Sequence, residues 1–131
     1  TLFNEEEMKL VNETKKILNI DCKITSTCVR VPTLRSHCIS LNVEFDRSLS
    51  RNNIINELTE SQGVRVYDNI EENQFPEPII TSDETDVYVG RIRHDIDDDK
   101  CWNFFISGDQ LLKGAGYNSV QILEYLLKKY E

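Results

Sequence analysis

The sequence predicts an α+β domain in which helices cover one face of a mostly antiparallel sheet. Apolar residues recur at helical spacing in some segments and alternate with polar residues in others, which is typical of mixed helices and strands. Short connections between consecutive predicted strands favour antiparallel pairing. With 131 residues, 39% of them hydrophobic and 29% charged, the chain fits one domain with enough apolar material for a core.

The predicted element order is α-β-β-α-β-β-β-α. The first helix is predicted over residues 4–18, because Asn4 can cap it and Glu7 can bond back to the amide of the cap. A strand is predicted over residues 24–31, a segment rich in threonine, valine and isoleucine. Pro32 ends this strand or places it at a sheet edge.

The next strand, over residues 37–45, alternates apolar and polar side chains with a period of two. Its apolar face is predicted to be buried and carries Ile39, Leu41, Val43 and Phe45, with His37 at its start. A helix is predicted over residues 50–62, with three residues facing inward: Ile54, Ile55 and Leu58. A short strand follows over residues 64–67.

The remaining chain is predicted to hold a loop, a hairpin and a final helix. Residues 68–85 contain two prolines and many acids and are predicted to be mostly loop. Strands over residues 87–96 and 101–107 flank an acidic turn and form a hairpin. The last helix is predicted over residues 111–130, with Val120, Leu123 and Leu127 facing inward.

Composition excludes several functions. Lysine and arginine total 15 against 23 acids, so a net charge of −8 argues against a nucleic-acid partner. No segment approaches the roughly eighteen apolar residues of a membrane span. Four cysteines without a CxxC spacing and two distant histidines predict free thiols, no metal site and a cytoplasmic location. The chain starts at Thr1, and its only methionine is Met8, which suggests a processed or truncated piece.

Three side chains around one predicted strand-loop-strand corner suit acid/base chemistry on an anionic substrate. Arg30 and Arg35 can each bind a carboxylate through two hydrogen bonds, and His37 can move a proton near neutral pH. The alternative is that both arginines pair with surface acids and His37 is a packed strand residue. Composition alone favours this alternative by about two to one.

Two other charged pairs leave both a binding role and a structural role open. Glu6 and Lys9, three residues apart on the first helix, can hold an ammonium and an anion or form a weak surface ion pair. Arg91 and Arg93 alternate along a strand and point to one face. Cys38 follows His37 but points to the opposite face, so a thiol catalyst is not predicted.

Four motifs occur in order along nearly the whole chain: EEEMK with ETKKIL, TCVRVPTLRSH, GRIR and GDQLLKGAGYNSVQI. In this order they resemble the C-terminal portion of the aspartate-semialdehyde dehydrogenase family. The resemblance implies a fold similar to the C-terminal domain of glyceraldehyde-3-phosphate dehydrogenase-like enzymes. Members of the family reduce L-aspartyl-4-phosphate with NADPH to L-aspartate-4-semialdehyde through a cysteine thioester, in lysine, threonine and methionine biosynthesis.

The resemblance also implies roles for individual side chains. His37 would be the general acid/base, and Arg30 would bind the substrate carboxylate. Glu6 would contact the substrate ammonium, and Lys9 the phosphate. Asn118 would lie near the nicotinamide of NADP. A bidentate arginine beside a proton-transferring histidine agrees with the chemistry expected from the residues alone.

The chain departs from the family because it lacks the nucleotide-binding domain and the Asn-Cys motif that supplies the nucleophile. Residues 1–131 are therefore predicted to be part of a catalytic and dimerisation domain, with the helix at about 111–130 packed toward the missing domain. We expect a homodimer, NADP bound mainly by that missing domain, and no turnover by this chain alone. The alternatives are a fragment of N-acetyl-glutamyl-phosphate reductase, which a free-amino-acid site argues against, and a non-catalytic dimerisation module.

Overall fold

The computed structural model describes residues 2–130, which divide after Pro32 into two compact units. The first unit contains one helix, α1 (Glu5–Leu18). Asn4 caps it as predicted: its side chain accepts from the Glu7 amide at 2.9 Å, and the Glu7 carboxylate accepts from the Asn4 amide at 3.0 Å. Three glutamates in the first turn and two lysines in the last complement the helix dipole.

The strand predicted over residues 24–31 is wrong, because this segment forms no strand in the structure. A strand is defined by a ladder of backbone hydrogen bonds to a neighbour. Here the backbone amide of Cys28 donates instead to the Glu7 carboxylate, and the Ser26 hydroxyl donates to the Glu7 carbonyl. Side-chain and helix-terminus contacts thus replace the sheet pairing that the β-branched composition suggested.

The second unit is built on a four-stranded sheet of order β1-β4-β3-β2. The strands are β1 (His37–Glu44), β2 (Val64–Val66), β3 (Val87–His94) and β4 (Cys101–Gly108). β4 pairs antiparallel with both β1 and β3, and only β2 runs parallel to its neighbour β3. The mostly antiparallel sheet and the hairpin over β3 and β4 confirm the predicted fold class.

Two helices lie in the connections between the strands of this unit. Helix α2 (Arg51–Glu60) is capped by Ser50 and packs on β2 and β3. Its Ile54 is buried in a cluster with residues from one face of the sheet: Val89, Ile92, Trp102 and Phe104. Ile55 and Leu58 pack against the same cluster, so the predicted inward face of this helix is confirmed. A short helix, α3 (Pro78–Thr81), interrupts the segment predicted as loop.

The burial predicted for β1 is only partly right. Its apolar side chains face the same side as Trp102 and Phe104, as their cross-strand pairing requires. Val43 and Phe45 pack against the core, but Ile39 and Leu41 remain 49% and 39% exposed. The reason is that α2 contacts β2 and β3, which lie toward the edge of the sheet opposite to β1.

A β-bulge changes the predicted alternation along β3. The pairing register shifts between Gly90 and Arg93, and Arg91 takes a left-handed backbone with φ of 54°. The Asp68 carboxylate holds this bulge by accepting from the Arg91 and Ile92 amides at 2.9 and 3.0 Å. The Arg51 guanidinium also donates to Asp68, at 2.8 Å. Despite this bulge, Arg91 and Arg93 line one shallow cleft together.

The last helix differs from its prediction at the start and on its inner face. Residues Leu112–Gly116 form a π-helical turn, and α4 (Tyr117–Tyr130) follows. Three residues predicted to face inward are at least half exposed: Val120, Leu123 and Leu127. Helical periodicity therefore identified an apolar face, but residues 2–130 do not cover it. Within the same residues, no helix is long and apolar enough to cross a bilayer.

Candidate functional site

His37 begins β1, directly opposite Gly108 of β4, and its side chain is exposed. The residue before it, Ser36, is buried and has a φ of 72°. The Ser36 amide donates to the side-chain carbonyl of Gln110 at 2.7 Å, and its hydroxyl lies 3.2 Å from the Ser82 hydroxyl. His37 therefore follows a residue, Ser36, that is hydrogen-bonded to two other segments of the unit.

Arg35, two residues before His37, forms two ion pairs. Its Nε lies 2.7 Å from Oδ2 of Asp109, and its Nη1 lies 2.6 Å from Oδ1 of Asp83. The Nε contact is an ion pair at short distance rather than a well-aligned hydrogen bond. Arg35 is thus engaged by acids, which confirms the alternative considered for it, although Asp109 is fully buried rather than on the surface.

Asp109 follows β4 and holds two backbone segments near the start of β1. Its carboxylate accepts from the amides of Asp83, Leu111 and Leu112 at 2.7 to 3.1 Å. Burial alone would raise the pKa of Asp109, but these three hydrogen bonds and the charge of Arg35 outweigh it and lower the pKa below its usual value. Asp109 is therefore a fixed anion at neutral pH.

In the first unit, Glu7 connects helix α1 to the segment that carries Arg30. Its Oε1 accepts from the Cys28 amide at 3.0 Å, while its Oε2 accepts from Asn4. The Arg30 side chain, two residues beyond Cys28, is exposed. Glu7 is the one buried residue of α1, so a carboxylate fixes the arginine segment beside the turn that carries Glu6.

Glu6 and Lys9 form the surface ion pair that their spacing suggested. The Lys9 ammonium lies 3.4 Å from Glu5 and 3.9 Å from Glu6, and all three side chains are largely exposed. The hydrogen bond and charge of Glu5, together with the charge of Glu6, raise the pKa of Lys9. Lys9 therefore stays cationic across the physiological range and remains accessible to an anion.

Asn118 lies in the first turn of α4 and is half-buried. The turn before it is held by Lys113, whose ammonium donates to the side-chain carbonyl of Gln121 at 2.8 Å. Gly116 bonds back to the carbonyl of Leu111, closing the π-helical turn. The Asn118 amide offers both a donor and an acceptor, the pair that a carboxamide ligand requires.

Residues 3–113 match the family described as "Semialdehyde dehydrogenase, dimerisation domain". The chain belongs to this family. The match covers nearly all of the first unit and the whole sheet of the second. The turn at residues 35–37, called the His37 corner below, and the Glu7 contacts therefore both lie in a semialdehyde dehydrogenase dimerisation domain.

Individual relatives agree with this assignment. The chain is 44% identical over 128 residues to an aspartate-semialdehyde dehydrogenase of Prochlorococcus marinus and 42% identical over 128 residues to one of Bacillus subtilis. These matches cover 97% and 96% of the chain but 37% of each relative. The chain thus spans little more than a third of the length of these curated relatives.

Solved structures of aspartate-semialdehyde dehydrogenases share the fold of this chain. The dehydrogenase II of Vibrio cholerae, in complex with ASA, superposes with a TM-score of 0.90 at 32% identity, covering 98% of this chain and 38% of that one. The Francisella tularensis enzyme gives a TM-score of 0.84 at 33% identity, covering 94% of this chain and 35% of that one. The resemblance read from the four motifs is confirmed, including the fold related to glyceraldehyde-3-phosphate dehydrogenase.

The five site residues predicted for this dimerisation domain fall in its two units. Glu6, Lys9 and Arg30 lie in the first unit, and His37 and Asn118 lie in the second. His37 and Arg30 are exposed, as a residue that meets substrate must be. Their roles remain predictions, and so does the convergence of Arg30 and His37 on one substrate.

Three residues that support the His37 corner were not predicted from the sequence: Asp83, Asp109 and Gln110. Asp109 had one local signal, because an aspartate directly after a predicted strand and before a helical segment often accepts from the next amides. Gln110 and Asp83 had none. Among residues 2–130, no group of three or more potential metal-ligating acids, histidines and cysteines comes together.

One testable consequence concerns Glu7 and pH. Hydrogen bonds from the Cys28 and Asn4 amides lower its pKa below the ordinary value of 4.5. A carboxylate with a lowered folded pKa stabilises the folded unit above its unfolded pKa, and this contribution is lost as the pH falls through the folded pKa. We expect the Cys28 amide to be protected from hydrogen exchange at neutral pH, and we expect this protection, measured relative to the intrinsic exchange rate at each pH, to fall on acidification.

The variant Glu7→Gln tests this expectation by nuclear magnetic resonance. It should raise exchange at the Cys28 amide at neutral pH, because a neutral amide oxygen is a weaker acceptor than a carboxylate. The difference from the wild type should shrink below the folded pKa. Glu5→Gln is the matched control, since Glu5 lies in the same turn with an 85% exposed side chain. Equal exchange in both variants would contradict the role of Glu7.

Proposed function

We propose that the chain is the catalytic and dimerisation portion of an NADP-dependent aspartate-semialdehyde dehydrogenase. The complete enzyme would reduce L-aspartyl-4-phosphate to L-aspartate-4-semialdehyde and release phosphate, in the cytoplasm, for lysine, threonine and methionine biosynthesis. The observation that carries the proposal is 44% identity to an aspartate-semialdehyde dehydrogenase across 97% of the chain. The four cysteines, all unpaired thiols in the structure, suit a reduced compartment.

The proposed chemistry proceeds through a thioester. A cysteine thiolate outside this chain attacks the acyl phosphate, a carbon–sulfur bond forms, and phosphate leaves. When bound, NADPH would supply the hydride for reduction of this thioester to a thiohemiacetal. This intermediate then collapses to the aldehyde and regenerates the thiolate. An imidazole at His37 would give a proton to the developing oxyanion and take it back on collapse, which is general acid/base catalysis.

Three charged side chains of the first unit would hold the substrate. The exposed guanidinium of Arg30 suits the α-carboxylate, because a planar fork binds two oxygens at once. Glu6 would bind the α-ammonium, and Lys9 the leaving phosphate. The pairing of Lys9 with Glu5 and Glu6 is exposed, so exchange for a phosphate costs little.

Asn118 would contact the cofactor. Its half-buried amide carries the donor and the acceptor that a nicotinamide carboxamide needs, so this residue fits the group. The rest of NADP would bind to a nucleotide-binding domain outside this chain. Helix α4 would pack toward that domain, and the exposed apolar side chains of α4 support this arrangement.

The protein would function as a homodimer, as the family's description as a dimerisation domain suggests. The same description supports a second candidate, a non-catalytic dimerisation module on this fold. The two candidates differ in one respect that can be measured. A catalytic portion restores turnover when joined to the missing domain of a relative, whereas a module does not.

We therefore expect no turnover from the 131-residue chain alone, assayed with NADP, aspartate semialdehyde and phosphate by the absorbance of NADPH. A chimera should be active, in which this chain replaces the matching 128 residues of the Bacillus subtilis enzyme. The unmodified Bacillus subtilis enzyme is the positive control. An inactive but folded, dimeric chimera would favour the non-catalytic module, and turnover by the chain alone would refute the division of roles.

A further inference from the structure

We propose that the buried Asp109–Arg35 pair is the device that positions His37 for proton transfer, an inference that rests on the proposed function. Neither residue touches substrate in this proposal. Asp109 and Arg35 are positioning residues, which set the direction in which the imidazole leaves the backbone. Three features of the second unit carry the inference: the anchoring of Asp109, the reach of Arg35 and the backbone conformation of Ser36.

Asp109 is an anchor rather than a surface acid. Its side chain is fully buried, yet its two oxygens are occupied by three backbone amides and one guanidinium. The amides of Leu111 and Leu112 belong to the segment that enters the π-helical turn. The amide of Asp83 belongs to the loop after α3. A single carboxylate therefore holds two segments at a fixed spacing, and a buried charge of this kind is stable only while its partners stay in place.

Arg35 connects Asp109 to the segment that leads into β1. Its guanidinium reaches Asp109 through Nε and Asp83 through Nη1, so it joins the same two segments that Asp109 joins. Its own backbone lies two residues before His37. Asp109 and Arg35 thus connect the segment before β1 to the loop after α3 and to the segment after β4. The Arg35 guanidinium lies between the carboxylates of Asp83 and Asp109.

Ser36 shows why the corner needs such support. A non-glycine residue with φ of 72° lies in the sparsely populated left-handed region, and such a residue persists only where its surroundings fix it. The amide of Ser36 donates to Gln110, the neighbour of Asp109. If the Asp109–Arg35 pair is lost, Ser36 is expected to return to a common conformation. The Cα–Cβ direction of His37 then changes, although β1 still pairs with β4.

A changed direction of the His37 side chain should lower the rate of proton transfer more than it lowers the affinity for substrate. An acid/base group must lie within hydrogen-bonding distance of the proton that it moves, and misplacement by about 1 Å can cost on the order of a hundredfold in rate. The side chains proposed to bind the substrate belong to the other unit and are not among the partners of Asp109 and Arg35 described above. The expected signature is a fall in kcat with little change in KM.

The chain contains a matched control for this effect. Asp68 is also a buried carboxylate, with 2% side-chain exposure, and it also accepts from two consecutive amides and pairs with an arginine, Arg51. This pair holds the bulge of β3 instead of the corner at His37. Asp68→Asn and Asp109→Asn remove the same charge from the same kind of network, so a general loss of stability should appear in both.

The experiment measures kcat and KM for aspartate semialdehyde in the active chimera. Asp109→Asn should lower kcat by about a hundredfold and leave KM within about twofold. Asp68→Asn should leave kcat within about twofold of the parent when corrected for folded protein. Equal effects of the two substitutions on kcat would overturn the inference, because the role of Asp109 would then be structural only.

Two further variants separate the possible failures. His37→Ala tests the proposed function itself: if it retains full turnover, the acid/base role falls, whatever Asp109→Asn does. If His37→Ala abolishes turnover while Asp109→Asn behaves like Asp68→Asn, only the positioning role falls. Arg35→Gln replaces Asp109→Asn if the latter fails to fold, because it leaves the three amide bonds of Asp109 intact.

Hydrogen exchange in the 131-residue chain gives an activity-independent measurement. Asp109→Asn should accelerate exchange at the Ser36 amide by at least about tenfold, because its bond to Gln110 depends on the corner. Asp68→Asn should leave that amide unchanged and accelerate exchange at Ile92 instead. Unchanged protection of Ser36 in Asp109→Asn would contradict the inference, independently of any kinetic result.

Discussion

Trp102→Ala is expected to destabilise the second unit by about 3–5 kcal/mol, the range for removing a buried large aromatic side chain. Trp102 is 2% exposed and lies in the core cluster with Ile54, Ile92 and Phe104. Among residues 2–130, six hydrophobic residues are buried, so one substitution removes a large part of this core. Because Trp102 is the sole tryptophan, unfolding should be followed by circular dichroism in urea rather than by fluorescence.

The control for this prediction is Tyr125→Ala. Tyr125 is an aromatic residue of α4 with 65% exposure, so its removal should change the free energy of unfolding by no more than about 0.5 kcal/mol. A similar loss in both variants would mean that the core does not lie where the sheet and α2 place it. Unchanged stability of Trp102→Ala would mean the same.

His37→Ala is expected to lower kcat of the chimera by about 10²–10⁴-fold, the usual contribution of a positioned acid/base group. The matched control is His94→Ala. His94 is also an exposed histidine of the sheet, but it lies opposite Trp102, at the end of β4 that is remote from Gly108. His94→Ala should retain turnover within about twofold. Equal losses in the two variants would remove His37 from the mechanism.

Local signals in the sequence predicted local structure well. The Asn4–Glu7 capping box needs only two side chains three residues apart, and both of its hydrogen bonds are present. The inward face of α2 followed from periodicity, because Ile54, Ile55 and Leu58 share one side of the helix. The hairpin over β3 and β4 followed from a short acidic turn between two strand-like segments.

Predictions that needed a partner were less successful. Ile39 and Leu41 alternate correctly along β1, but their burial depends on what covers that edge, and α2 lies on the other side of the sheet. The apolar face of α4 poses the same problem. The segment 24–31 has the composition of a strand, yet Glu7 takes the Cys28 amide that a neighbouring strand would have used.

The residues of the candidate site also divide into those that the sequence predicted and those that it did not. Motif order in the sequence predicted the family and named Arg30, His37, Glu6 and Lys9, because their spacing along the chain is itself the signal. The sequence could not reveal that Arg35 belongs to a buried pair, since its acids lie 48 and 74 residues away along the chain. Composition predicted for it only surface acids.

By itself, the sequence determined the Asn4 cap of α1, the alternation along β1 and the family, because each depends on residues close together or on their order. Only the tertiary structure decided which polar groups are buried and with whom they pair. Asp109 shows the reason: a carboxylate loses its water on burial and is tolerated only where amides and a cation from distant segments converge on it. That convergence is a property of the folded chain, and no short stretch of residues contains it.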